Sequence, residues 1–235
     1  MIKSNNFTWN YHAMERLIVL DTETTGIEPS EGHRIIEIGC CEVLDREITN
    51  SEFHEYVQPD RTVGDSVRVH GITDKFLTDK PKFEAVVEEF LEYIDGATLV
   101  IHNAPFDLGF LNHELKLMGV EETIEDRCQI IDSLELSKEQ RPGTMHNLDA
   151  LCRRFEIDAS ARTVHGALLD AQILAQVYLA MTGGQSSLFS EGATSTQTQG
   201  NATTITRMDE NRDKITVISA NTTEIEAHNT YFENV

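Results

Sequence analysis

The sequence predicts an α/β domain, a mixed five-stranded sheet flanked by helices, followed by a flexible C-terminal tail. Three strand-like segments follow one another at short spacing between residues 17 and 57. Beyond residue 83, short apolar strands alternate with amphipathic helices. After Gly184 the composition turns to Ser, Thr, Gln and Gly. Strands in series that give way to alternating strands and helices indicate a sheet with both antiparallel and parallel pairs.

Residues 1–15 are polar and irregular and read as a loose lead-in, leaving 16–184 for the folded domain and 185–235 for linker and tail. Leu17 to Leu20 is an apolar run that reads as a buried strand. Arg34 to Val43 reads as a second strand. The turn at Leu44-Asp45-Arg46-Glu47 leads to a third, Ile48 to Val57, where apolar and polar residues roughly alternate. Phe83, Val86, Val87, Phe90, Leu91 and Ile94 form a helical stripe that stops at Gly96. Thr98 to Ile101 is a short buried strand, and Phe106 to Met118 a second amphipathic helix stopped at Gly119. Arg127 to Ile131 reads as a strand, with Asp132-Ser133 as a helix N-cap pair behind it. Asn147 caps a helix reaching about Phe155, and the last strong helix runs from Gly166 to Met181. In the tail, Lys214 to Ser219 has strand character and Thr223 to Glu226 has capping-box spacing.

The chemistry concentrates in acids at unusual places. Asp21 and Glu23 stand one residue apart at the end of the first strand, so both side chains leave the same face of the sheet. Two carboxylates that close repel unless a proton or a cation compensates, and hard divalent ions are the natural partners of carboxylate oxygens. Asp170 shares a helical stripe with Leu174, Val177 and Met181, and Asp107 one with Leu111, Leu115 and Met118. A bare carboxylate on a core-facing stripe costs several kcal/mol, so each needs a hydrogen bond, a proton or a metal ion. Acids converging from one strand and two helices suit two divalent ions. His165, five residues before Asp170, is a candidate general base because imidazole titrates near neutral pH, and Gly166 behind it suggests a close backbone approach.

Composition narrows the classes. A net charge of -21 over 235 residues is the reverse of the basic surface with which proteins usually grip nucleic acid. Either nucleic acid is not the partner, or it is held locally and weakly while something else supplies residence time. Cys40, Cys41, Cys128 and Cys152 show no C-x-x-C spacing, so they read as reduced core fillers rather than a zinc or redox site. With no apolar leader and no stretch as long as a membrane span, the expectation is a soluble, cytoplasmic protein.

Three segments, Leu-Asp-Thr-Glu-Thr-Thr-Gly (20–26), Ile-His-Asn-Ala-Pro-Phe-Asp (101–107) and His-Gly-Ala-Leu-Leu-Asp-Ala (165–171), resemble the motifs of the DEDD exonucleases, histidine subtype. Residues 34–39, 69–72, 147–152 and 177–185 further resemble the proofreading subunits of bacterial DNA polymerase III. The resemblance implies a ribonuclease H-like fold and removal of 3′-terminal nucleotides as nucleoside monophosphates by two-metal hydrolysis, with Mg²⁺ or Mn²⁺ as the ions. It implies that Asp21, Glu23 and Asp170 bind the ions, that Asp107 supports the second, and that His165 is the base. Asp21 and Glu23, with Asp65 and His70, would contact the terminal nucleotide; the family more often has glutamate where Asp65 stands.

The same resemblance implies that the tail binds the polymerase catalytic (alpha) subunit, and it raises a small theta-like subunit as a further partner. Gln185-Ser186-Ser187-Leu188-Phe189 is similar to the Gln-x-x-Leu-Phe peptides that bind the sliding clamp, through Gln185, Leu188 and Phe189; a plain linker is the alternative. Two competing readings stand beside this one: an RNA-trimming exonuclease of the same superfamily, and a non-catalytic adaptor. Retention of Asp21, Glu23, Asp107, His165 and Asp170 opposes the adaptor.

Overall fold

The computed structural model describes residues 16–160, 162 and 164–183. The lead-in and the linker and tail, with Gln185, Leu188 and Phe189, lie outside the described residues, as does the whole of the second of the chain's two units, 191–235.

Strand β1 (Arg16–Thr24) pairs antiparallel with β2 (Ile35–Leu44), which pairs antiparallel with β3 (Glu47–Tyr56). The β2–β3 turn places Asp45 and Arg46 at positive φ, 50° and 66°, the two-residue hairpin geometry that matches strand twist. Arg46 is tolerated there while its guanidinium docks on the backbone of Leu179 and the hydroxyl of Thr182. Four short or medium helices follow: α1 (Val67–His70), α2 (Asp74–Leu77), α3 (Phe83–Ile94) and, after strand β4 (Thr98–Ile101), α4 (Ala104–Leu117). The chain continues through α5 (Ile124–Arg127), β5 (Gln129–Asp132), α6 (Ser133–Gln140), α7 (Leu148–Phe155) and α8 (Ala167–Gly183).

The sheet order is β3-β2-β1-β4-β5, with β4 parallel to both β1 and β5. It is the mixed five-stranded sheet that the sequence predicts. Side chains of β1 divide between two cores by strict alternation. Ile18 and Leu20 pack with α3 and α4 on one face, Leu17 and Val19 with α7 and α8 on the other. All four cysteines are buried and free. Among the described residues, no helix is long and apolar enough to cross a membrane.

The α3 helix and β4 strand have the limits expected from periodicity. The fifth strand begins later than expected, at Gln129, because Ile124–Arg127 forms a short helix whose start is closed by the Asp126 carboxylate accepting from Thr123 N. The structure corrects the expectation for Gly166, where an added Cβ would meet open space. The close approach is at Gly39 on β2, where a Cβ would overlap backbone of Ala167 and Leu168. Gly39 thus lets the first turn of α8 lie directly on the sheet.

Candidate active site

The end of β1 is where the distant segments meet. Asp21 stands opposite Gly39 in the β1–β2 ladder, and Glu23 opposite Glu37. Because Gly39 admits the start of α8, Asp170 in its first turn is carried against these strands, 3% exposed. Asp107 arrives from the parallel side. Strand β4 ends at Ile101, Asn103 turns the chain in the left-handed region (φ 67°), and α4 starts at once. The Asp132 carboxylate at the end of β5 fixes that turn by accepting from the backbone N–H groups of Asn103 and Ala104, both at 3.1 Å, and also from Leu134 of its own helix at 2.9 Å. The result is a cleft of about 430 Å³ beyond the carboxyl ends of parallel strands, lined by Asp21, Glu23, Asp107, His165 and Asp170 among others.

The four carboxylates are held by different means. Asp107 accepts from Thr22 N at 3.0 Å and from Thr22 Oγ1 at 2.7 Å. Burial nevertheless pushes its carboxyl up to about 7, against the lowering effect of those bonds. Asp21 is raised well above the ordinary range by burial, then by Asp107, Glu23 and Asp170. Glu23 is raised to about 8 by burial, then by Glu37, Asp170 and Asp107. Glu37, itself buried, is paired with His54 Nε2 at 2.7 Å.

A cation from the chain itself reaches this cluster. Arg162 Nε and Nη2 contact Asp170 Oδ1 and Oδ2 at 2.5 and 2.7 Å, Nη2 also lies 2.7 Å from His165 Nδ1, and Nη1 donates to Asp149 Oδ1 at 2.6 Å. Its charge opposes the upward shift of both Asp21 and Glu23.

Comparison with known proteins gives this arrangement a lineage. A family model described as "Exonuclease" matches residues 18–178. DNA polymerase III subunit epsilon of Salmonella typhimurium is 51% identical over 223 residues, covering 92% of this chain and 91% of the relative; that of Escherichia coli matches equally. The chain belongs to the DNA polymerase III subunit epsilon family. Like that family it is a 3′–5′ exonuclease, a hydrolase of the proofreading class. The subunit epsilon of Haemophilus influenzae is 52% identical over 181 residues, covering 75% of this chain and 71% of the relative. Exonuclease X in complex with 5′-overhanging duplex DNA superposes with a TM-score of 0.55 at 25% identity, over 72% of this chain and 92% of that one. The nuclease domain of 3′hExo, a DEDDh family member bound to rAMP, gives 0.63 at 19% over the same shares, a likeness of fold.

The epsilon-family cleft fits divalent cations on the chemistry of its donors. Glu23, His165 and Asp170 each offer a ligand atom within 4.8 Å of the others, Asp21 lines the same cleft, and oxygen donors dominate. Of the residues predicted to contact a nucleotide, His70 is buried beside the cleft: Ile72 N donates to its Nδ1 at 3.0 Å and Nε2 pairs with Ser66 Oγ at 3.1 Å. The backbone of this segment is tied to the base candidate, since His165 N donates to Val69 O at 3.1 Å. Asp65 lies on the surface in an ion pair with Arg68 at 3.3 Å, and neither it nor His70 lines the cleft.

Sequence reading missed Arg162, Glu37 and the Thr22 bond to Asp107. The only signal for Arg162 was its place three residues before His165 in a chain with 19 basic and 40 acidic residues.

The raised carboxyls make a pH prediction. Glu23 keeps its proton to about pH 8 in the folded chain, against an ordinary value of 4.5. Between those values the native state binds more protons than the unfolded one, so stability falls as pH rises. In EDTA the thermal midpoint should therefore drop from about pH 5 to about pH 8.5, and saturating Mg²⁺ should flatten the slope, because the cation replaces the protons. Equal slopes with and without Mg²⁺ would place the cation elsewhere.

Proposed function

We propose that Asp21, Glu23 and Asp170 hold two divalent cations, Mg²⁺ or Mn²⁺, with Asp107 supporting the second, and that the chain removes mispaired 3′-terminal nucleotides of DNA as nucleoside monophosphates. One observation carries this reading: four acids and a histidine from three distant segments face one cleft, where burial raises the proton affinity of Asp21, Glu23 and Asp107 and the neighbouring carboxylates add to the rise at Asp21 and Glu23. When bound, such ions supply Lewis-acid stabilisation of the phosphodiester and of the departing 3′ oxygen. The protein's own residues do the rest. A ring nitrogen of His165 takes the proton of the attacking water. Thr22 fixes the Asp107 carboxylate by two hydrogen bonds, Asp132 fixes the helix that carries Asp107, and Gly39 fixes the helix that carries Asp170. Of the two other residues assigned to the terminal nucleotide, His70 is the better placed, because its segment is bonded to His165 N through Val69 O, whereas Asp65 stands on the surface outside the cleft.

The acidity of the chain fits an editor rather than a tight binder, because few phosphate contacts mean weak hold on DNA. Residence then comes from tethering, which supplies an effective concentration of about millimolar. The tail of residues 185–235 is the tether to the alpha subunit, Gln185, Leu188 and Phe189 engage the sliding clamp, and a theta-like subunit would sit on the exonuclease domain. Work of this kind belongs in the cytoplasm. In a test with purified protein, Mg²⁺ should support release of nucleoside monophosphates from mispaired primer ends faster than from paired ends, and from DNA faster than from RNA. A chain ending at residue 185 should degrade equally but fail to co-elute with the polymerase. Preference for RNA would return the assignment to an RNA-trimming enzyme.

A further inference from the structure

Arg162 is surplus to the reaction just described, yet it is among the most committed side chains in the cleft. It is 10% exposed although it lies on the loop between α7 and α8, and its donors are spent on three groups. Both oxygens of Asp170 are engaged by its planar fork, the bidentate geometry that makes arginine–carboxylate pairs strong. A divalent ion that uses Asp170 therefore competes with the guanidinium for the same carboxylate charge.

The contact with His165 has a chemical consequence. Arginine has N–H donors and no acceptor. The 2.7 Å approach of Nη2 to Nδ1 requires the Nδ1 lone pair, which puts the imidazole proton of neutral His165 on Nε2. Nδ1 then has no proton to give Asp170 Oδ2, 3.1 Å away, and that approach is enforced by the arginine between them. A neutral imidazole has one basic lone pair. In this arrangement Arg162 caps that lone pair.

We propose that Arg162 is a built-in counter-cation that latches the metal-free site, occupying Asp170 and capping His165 until a divalent ion displaces it and frees both together. The inference rests on reading Glu23 and Asp170 as the cation site. It goes beyond that reading in coupling cation arrival to release of the base. Asp149 gives the latch somewhere to stay: its carboxylate at the start of α7 holds Nη1 independently of Asp170, so the guanidinium moves to the rim when released. Arg162 thereby offsets part of the repulsion on Asp21 and Glu23.

The test reads binding and protonation directly on the full chain. Mn²⁺ titration followed by the free-ion EPR signal should show Arg162→Gln binding about tenfold or more tighter than the parent, since a charge-assisted competitor is removed. Arg162→Lys, which keeps the charge but not the fork, should fall between them and guards against a folding failure of the first variant. By ¹⁵N NMR at about pH 8, His165 of the metal-free parent should be held as the Nε2–H tautomer. Mg²⁺ should abolish that constraint, and Arg162→Gln should lack it from the start. Unchanged or weaker Mn²⁺ binding in both variants, or a His165 tautomer indifferent to Arg162, would overturn the latch. Absence of Mn²⁺ binding in the parent and variants alike would overturn the cation site itself, and the latch with it.

Discussion

Asp21→Ala and Glu23→Ala should each lower nucleotide release from a 3′-labelled single strand by about 10³-fold or more, while leaving the folded chain at least as stable as the parent. The rate expectation follows from the several kcal/mol of charge stabilisation that a bound cation supplies, at about 1.4 kcal/mol per tenfold. The stability expectation follows from the site's own electrostatics. Both carboxyls are pushed up by burial and by one another, so in the absence of cations each weakens the fold at neutral pH. Removing one relieves repulsion on the other. A loss of activity accompanied by an unchanged or raised thermal midpoint in EDTA is the mark of residues kept for chemistry at the expense of stability. Activity within tenfold of the parent would reject the metal assignment, and collapse of the midpoint would reassign the acids to the core.

His165→Ala should cost about 10²–10⁴-fold near neutral pH, the range of a positioned general base. The sign of its pH dependence separates a base from a merely structural group. Hydroxide rises tenfold per pH unit and needs no base, so the variant should regain activity as pH is raised while the parent levels off. The gap between them should narrow from about pH 7 to about pH 9.5. His165 is exposed on its loop and contributes nothing to either core cluster, so the variant should remain folded. A deficit of constant size across that range would mean that the ring orients the site without moving a proton.

Several elements were legible because their causes are local. The Phe83–Ile94 helix shows its period and its glycine stop within fourteen residues, and Thr98–Ile101 is an apolar run between turn signals. Asn147 caps its helix as expected, its Oδ1 accepting from Ala150 N at 2.9 Å. Where helical turns are only four residues long, at Val67–His70, Asp74–Leu77 and Ile124–Arg127, no period can develop, and the chain reads as loop or as strand.

Sequence alone determined which acids could not be ordinary. The i, i+2 spacing of Asp21 and Glu23 and the apolar stripes behind Asp107 and Asp170 mark carboxylates placed where a fold would otherwise put carbon, and side-chain periodicity is a property of the strand or helix itself. Tertiary structure decided what surrounds them. That Gly39 rather than Gly166 makes room for α8, that Thr22 and Asp132 seat Asp107, and that Arg162 fills the charge hole beside Asp170 depend on backbones brought together across the sheet. Such contacts join residues separated by up to 129 positions (168 minus 39), and nothing in the short-range pattern of the chain records them.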